Sequence, residues 1–179
     1  MNELEVSPGK ITFRWAWQMA TIMVVATLLV HFSGTDQKSP VVYLVYVPFV
    51  FGLMMSIKQH RDKDLEGFIS IKRAFTTGFR YASLVSFVMG VFMFIYLKYI
   101  NAEVFEQSLQ EAERMMLSQG KSSEEIETGI NMARSWGVFL AAISSSIGYT
   151  LLGAFLSLIA AFIFKNPRPI YIEVEREEL

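Results

Sequence analysis

Four uncharged, mostly apolar stretches dominate the pattern of the chain, at residues 15–33, 41–57, 81–97 and 136–164. Tyr99 and Ile100 extend the third to residue 100, with the side chain of Lys98 reaching towards the headgroups. Crossing about 30 Å of hydrocarbon takes roughly 20 residues at about 1.5 Å each. The sequence therefore predicts an all-α integral membrane four-helix bundle, formed by a single domain over residues 1–179.

Two of these spans are irregular. Pro48 lies near the middle of residues 41–57 and has no amide hydrogen, so we expect a kink there. Residues 136–164 would form a helix of about 43 Å, which is too long for the hydrocarbon. We expect this span to begin outside the membrane, as the continuation of a preceding helix.

An amphipathic element precedes the third span. In residues 68–79 apolar side chains recur every three or four positions, at Phe68, Ile71, Phe75 and Phe79. This spacing predicts an interfacial helix that lies on the inner membrane surface and runs into the third span. Its basic side would contact anionic lipid headgroups, through Lys72, Arg73 and Arg80.

The segment between the third and fourth spans, residues 101–135, is rich in helix formers and is interrupted at Gly120. Ser122 and Glu125 have the spacing of a capping box, which marks the start of a second helix. The segment is therefore predicted to be an extramembrane helical hairpin. Its apolar side chains would face one another across the turn: Phe105, Leu109, Met116, Ile126, Ile130 and Ala133.

The positions of the basic residues predict the orientation. Residues 58–80 carry six of them, whereas the link at residues 34–40 carries only Lys38. Because positive residues are retained in the cytoplasm, we expect both termini there and residues 101–135 on the outside. Within the cytoplasmic tail, residues 165–179, positions 170–175 alternate like a short strand, which would either pair with a partner's sheet or stay disordered.

The composition removes most catalytic chemistry. The chain has no cysteine, which excludes disulfides and thiolate metal sites, and its net charge of −1 does not favour nucleic acid as a partner. His31 and His60 are predicted on opposite sides of the membrane and so cannot share a metal ion. The glutamates of residues 103–127 resemble a solvated helix face. With no phosphate loop, nucleophile elbow or zinc protease motif, we expect no catalytic residue and no cofactor.

The interiors of the four stretches contain no Asp, Glu, Lys or Arg. Polar residues such as Gln18 and Ser145 are therefore the side chains that would line a transport path, if one exists. Small residues in the fourth span recur at a spacing of about four and allow close helix approach, either within the bundle or at a homodimer seam. They are Ser144, Gly148, Gly153, Ser157 and Ala161.

The order of these parts resembles a family of four-span bacterial membrane proteins, common in Bacteroidota and known as domain of unknown function 4199. The resemblance covers roughly residues 12 to 165, and its most specific part is the pattern Ile69-Ser70, Ala74-Phe75 and Gly78-Phe79. It implies an inner membrane location and no particular activity.

The sequence thus favours a non-enzymatic inner membrane protein that acts through contacts. The contacts would be made by the outer segment, residues 101–135, with a protein partner, and by the basic helix with membrane lipids. A homo-oligomer is compatible with the row of small residues. The alternative is a small oligomeric transporter or channel.

Overall fold

The computed structural model describes residues 9–35 and 39–168. These residues form five α-helices: α1 (Gly9–Phe32), α2 (Val47–Gln59), α3 (Ile71–Ile95), α4 (Ala102–Ser118) and α5 (Ser123–Phe164). A 3₁₀ helix, Pro40–Tyr46, leads into α2, and π-helical turns follow α2 at His60–Asp64 and α3 at Tyr96–Ile100. The predicted all-α class is confirmed. The strand-like pattern at residues 170–175 lies outside the described residues.

Four of the helical stretches are long and apolar enough to cross a membrane. They are Gly9–Phe32, Pro40–Asp64, Ile71–Ile100 and Ser123–Phe164, which confirms the number of spans predicted from the sequence. Helix α3 contacts α1, α2 and α5, and its contact with α5 is the most extensive in the molecule. The protein is therefore a membrane protein with α3 at the centre of its bundle.

The direction of the helices gives the bundle two distinct ends. We call one the terminal end, because it holds the N-terminus of α1 and the C-terminus of α5, together with the α2–α3 loop. We call the other the hairpin end. It holds the C-termini of α1 and α3 and the 3₁₀ helix. At the terminal end, the backbones of Ile69 and Asn166 exchange two hydrogen bonds of 2.8 and 2.9 Å, which fasten the finish of α5 to the α2–α3 loop.

The amphipathic segment at residues 68–79 is not a separate surface helix. Helix α3 starts at Ile71, capped by the Ser70 hydroxyl, and continues unbroken into the span. The face that packs in the bundle is formed by small residues, including Ala74 and Gly78, whereas Phe79 is exposed. Small residues let helices approach closely, so in a membrane they form the packing face in place of the large apolar ones.

Pro48 also differs from its prediction. The α-helical part of the second span begins only at Val47, so Pro48 lies in the first turn of α2 instead of the middle of a helix. Amide groups in the first turn have no intrahelical acceptor, and a proline there removes no hydrogen bond. The irregular feature at this point is the change from the 3₁₀ helix to the α-helix.

Helix α5 is long enough both to span the bilayer and to project from it. Its 42 residues measure about 63 Å, against roughly 30 Å of hydrocarbon. The fourth span is thus the continuation of the second helix of the hairpin, as predicted. Ser122 caps α5, and Glu125 completes the predicted capping box.

The other helix of the hairpin, α4, lies against the first turns of α5. Leu109 and Ile126 are buried in the seam, and the ring of Phe105 lies against Gly137. The seam is narrow, because most other side chains of α4 are exposed. The predicted hairpin therefore forms with one packed face and a large free surface.

Candidate functional site

A cluster of ionisable side chains lies at the terminal end. His60 is fully buried, and its Nδ1 lies 2.8 Å from a carboxylate oxygen of Asp64. From α3, Nε of Arg73 donates to His60 Nε2 over 3.3 Å. The acceptor at Nε2 means that the remaining proton of the neutral ring is on Nδ1, directed at Asp64. The π-helical turn carries His60 and Asp64 into this arrangement.

The sequence predicts that Arg73 contacts lipid headgroups, but in the structure it does not point towards them. Its side chain turns inward to His60, and its Nη2 is buried with no hydrogen-bond partner among the described residues. Lys72 and Arg80 are exposed on α3, and their contact with headgroups stays a prediction. The periodicity of residues 68–79 could not separate these three basic residues, because their direction depends on the partner supplied by α2.

A polar seam runs from this cluster into the bundle between α2 and α3. The two helices are antiparallel, with His60 bonded to Arg73 at the start of the seam and Gly52 against the hydroxyl of Tyr81 further in. Positions step by four on each helix, and the intervening Ser56 and Thr77 are both fully buried. Ser56 and Tyr81 are fully buried, and within the described residues their hydroxyls have no partner. Buried hydroxyls of this kind are ordinarily satisfied by ordered water.

A second polar cluster lies at the hairpin end. The side-chain amide nitrogen of Asn101 is 2.9 Å from the Tyr96 hydroxyl and 3.3 Å from Nδ1 of His31. The rings of His31 and Tyr96 pack edge to face with centroids 5.5 Å apart. A π-helical turn again forms the cluster, since the Asn101 backbone N–H donates to the Tyr96 carbonyl. His31 and His60 therefore lie at opposite ends of the bundle.

The small residues of the fourth span divide into two groups. Gly153 packs against Ala82 of α3, and Ser157 lies against Gly78. Ala161 is fully buried. In contrast, Ser144 and Gly148 are exposed, and nothing lies within 4 Å of a Cβ built on Gly148. Gly153, Ser157 and Ala161 therefore face the bundle, while Ser144 and Gly148 face outward.

Several contacts in these clusters could not be seen in the sequence. His31 and Asn101 are 70 positions apart, and no local pattern pairs them. Gln18, which the sequence offered as lining for a transport path, is exposed on the outside of α1. The recurrence of polar or small residues at positions 52, 56 and 60, and at 73, 77 and 81, was the available signal for the polar seam.

The hairpin presents a mixed surface. Met115, Leu117 and Met132 are each about 60% exposed. Glutamates surround them, and one, Glu106, pairs with Arg134 across the two helices at 3.0 Å. Large apolar side chains are thus exposed beside charged ones on α4, which lies outside the four candidate spans, and on the first turns of α5. This mixed surface is the candidate contact surface of the molecule.

The fold and these surfaces define a four-span α-helical membrane protein with a projecting helical hairpin. The model of the family described as Protein of unknown function (DUF4199) matches residues 14–166. Because this match covers most of the chain, the protein belongs to that family, as the sequence resemblance indicated. No curated protein sequence and no solved structure matches the chain.

Proposed function

We propose that this protein is a membrane-anchored contact protein, whose α4–α5 hairpin holds a binding surface for a protein partner outside the bilayer. The observation that carries the proposal is the continuity of α5, which runs for 42 residues from the hairpin through the span without a break. A rigid helix of this kind keeps the hairpin at a fixed distance and angle from the bundle. It also couples whatever binds the hairpin to α3.

The composition of the hairpin indicates the kind of partner. Residues 101–135 contain seven glutamates against Arg114, Lys121 and Arg134. The exposed methionines, Met115 and Met132, are flexible side chains that adapt well to a partner surface. A partner with an apolar patch bordered by basic residues is complementary to this surface.

The orientation and location complete the proposal. The terminal end gathers the basic residues of the α2–α3 loop with those that flank α1 and α5, which supports a cytoplasmic terminal end and an outer hairpin. Lys72 and Arg80 would then contact anionic headgroups of the inner leaflet of a bacterial inner membrane. Because the chain has no cysteine, single cysteines placed at Lys63 and Gly120 test this directly with an impermeant maleimide in intact cells. We expect labelling of position 120 but not of position 63. The opposite result would show that the orientation is the reverse of the one proposed.

Crosslinking in cells tests the partner. A photo-reactive amino acid at Met115 or Met132 is expected to give an adduct of the same mass from either position, because both side chains contact the same partner. The matched control is Leu151, which is equally exposed but lies on the lipid-facing side of α5 within the span. If adducts fail to form from the hairpin, or form equally from Leu151, the hairpin is not the contact surface.

A second copy of the chain is the other partner that we propose. Ser144 and Gly148 leave an open, small-residue strip on α5, which would allow two copies to approach closely. Replacing Gly148 with leucine would then convert a dimer to a monomer in light scattering of the detergent-solubilised protein. An unchanged mass, whether monomer or dimer, would remove this strip as the seam.

A further inference from the structure

A half-open cavity of about 250 Å³, which we call the chamber, lies in the hairpin-end half of the bundle. Its walls come from α1, the 3₁₀ helix, α3 and α5. The chamber exists because the 3₁₀ helix is narrower than an α-helix and fills less of the cross-section. In addition, α1 packs on α2 and α3 but makes no comparable contact with α5 in the described part of the chain.

We propose that this chamber binds a small, uncharged and mostly apolar molecule that carries a hydroxyl or carbonyl group. None of the residues that line it is Asp, Glu, Lys or Arg. A charged ligand would therefore lose its hydration with no opposite charge to replace it, at a cost of several kcal/mol. An uncharged ligand meets a wall built largely from apolar side chains, among them Met89, Phe92 and Met93.

The polar groups of the chamber explain the requirement for a hydroxyl or carbonyl. The Asn101 amide nitrogen lies within bonding distance of His31 Nδ1, so Nδ1 accepts and the neutral ring carries its proton on Nε2. Among the described residues Nε2 has no hydrogen-bond partner. His31 lines the chamber, and we assign this N–H as the donor to a ligand oxygen. The donor is held in place by Asn101, which also bonds Tyr96.

The second observation is the π-helical turn Tyr96–Ile100, which sets the position of this donor. It brings the backbone N–H of Asn101 to within 2.7 Å of the Tyr96 carbonyl and so carries the Asn101 side chain back over the bundle to His31. Turns of this type are uncommon and frequently lie at functional sites. Tyr46 and Tyr149, which also line the chamber, pack against each other with ring centroids 5.6 Å apart.

The volume limits the size of the ligand. At the packing density of protein interiors, about 0.74, the chamber accommodates roughly 185 Å³ of ligand, or a fused ring system of roughly ten to thirteen non-hydrogen atoms. 2-Naphthol has this size, is uncharged and carries one hydroxyl. It is therefore a suitable probe, with naphthalene and 2-naphthalenesulfonate as its apolar and charged counterparts.

Equilibrium dialysis of the full chain in lipid nanodiscs tests the proposal, with empty nanodiscs subtracting the partition of the probe into lipid. We expect saturable binding of one 2-naphthol per chain and none of 2-naphthalenesulfonate. Val30→Trp fills the chamber and should weaken 2-naphthol binding at least tenfold. The matched control is Leu29→Trp, at the adjacent position on the outside of α1, which should leave binding unchanged.

A further variant separates the polar contact from the shape of the chamber. His31→Phe removes the donor and should weaken 2-naphthol binding about tenfold while naphthalene binding stays the same. Absence of saturable 2-naphthol binding by the native chain would overturn the proposal, as would equal binding by Val30→Trp and the native chain. Equal affinity for naphthalene and 2-naphthol, unaffected by His31→Phe, would instead show an acyl-chain pocket and contradict the proposed ligand class.

Discussion

The close approach of α5 to α3 gives the sharpest test of the fold. A Cβ built on Gly153 would overlap the Cβ of Ala82, and it would lie 3.2 Å from the ring of Phe49. Ala82 and Phe49 are fully buried, so neither can move into open space. Overpacking of a tight core costs about 1–3 kcal/mol. Replacing Gly153 with alanine should therefore force α5 away from α3.

In the monomeric protein, diluted in micelles so that the proposed dimer seam is empty, Gly148→Ala is the matched control, because the same helix offers open space around Gly148. Both substitutions gain about 0.8–1.0 kcal/mol of helix propensity, which cancels when the two are compared. Gly153→Ala should then be less stable than Gly148→Ala by about 1–3 kcal/mol. Unfolding by SDS in mixed micelles, followed by circular dichroism, measures this difference. Equal stability of the two variants would refute the packing of α5 through Gly153.

Two further predictions concern the terminal end and the hairpin. Arg73→Gln should lower the free energy of unfolding by about 1–3 kcal/mol, because buried His60 loses the hydrogen bond from Arg73. The control Lys72→Gln, at an exposed position, should change it by less than about 0.5 kcal/mol. Equal effects of the two substitutions in SDS unfolding would contradict this prediction. At the capping box, the backbone hydrogen bond from Ser122 and then Lys121 lower the pKa of Glu125. A lowered pKa in the folded state means that this stabilisation is present above the unfolded pKa and is lost as the pH falls through the folded value. After correction for the intrinsic pH dependence of amide exchange, the protection of the first-turn amides of α5 should thus fall on acidification, and Glu125→Gln should remove that pH dependence.

Much of the architecture follows from local properties of the sequence. Whether a segment spans the bilayer depends on its own length and hydropathy, which explains why the four spans were predicted correctly. The capping box at Ser122 and Glu125 is likewise a local hydrogen-bond pattern, and it marked the start of α5. The excess length of the fourth stretch then required its continuation into the hairpin.

The rotation of each helix about its own axis, which decides which side chains pack in the bundle, does not follow from local properties of the sequence. In a soluble protein the apolar face identifies the core, but in a membrane both lipid and core are apolar. The spacing of Ile71 and Phe79 therefore predicts one face of a surface helix, whereas α3 packs through Ala74 and Gly78. Arg73 follows the same rotation, and only the position of His60 on α2 decides that it turns inward.

The sequence by itself determined that this protein is helical, crosses the membrane four times and carries a helical hairpin, because hydropathy, helix propensity and capping act over neighbouring residues. The tertiary structure alone decided which small residues pack, where Pro48 lies relative to the start of α2, and how His31 meets Asn101. These features depend on contacts between distant segments. The polar seam and the chamber belong to this second group, since each is formed by side chains or gaps from separate helices.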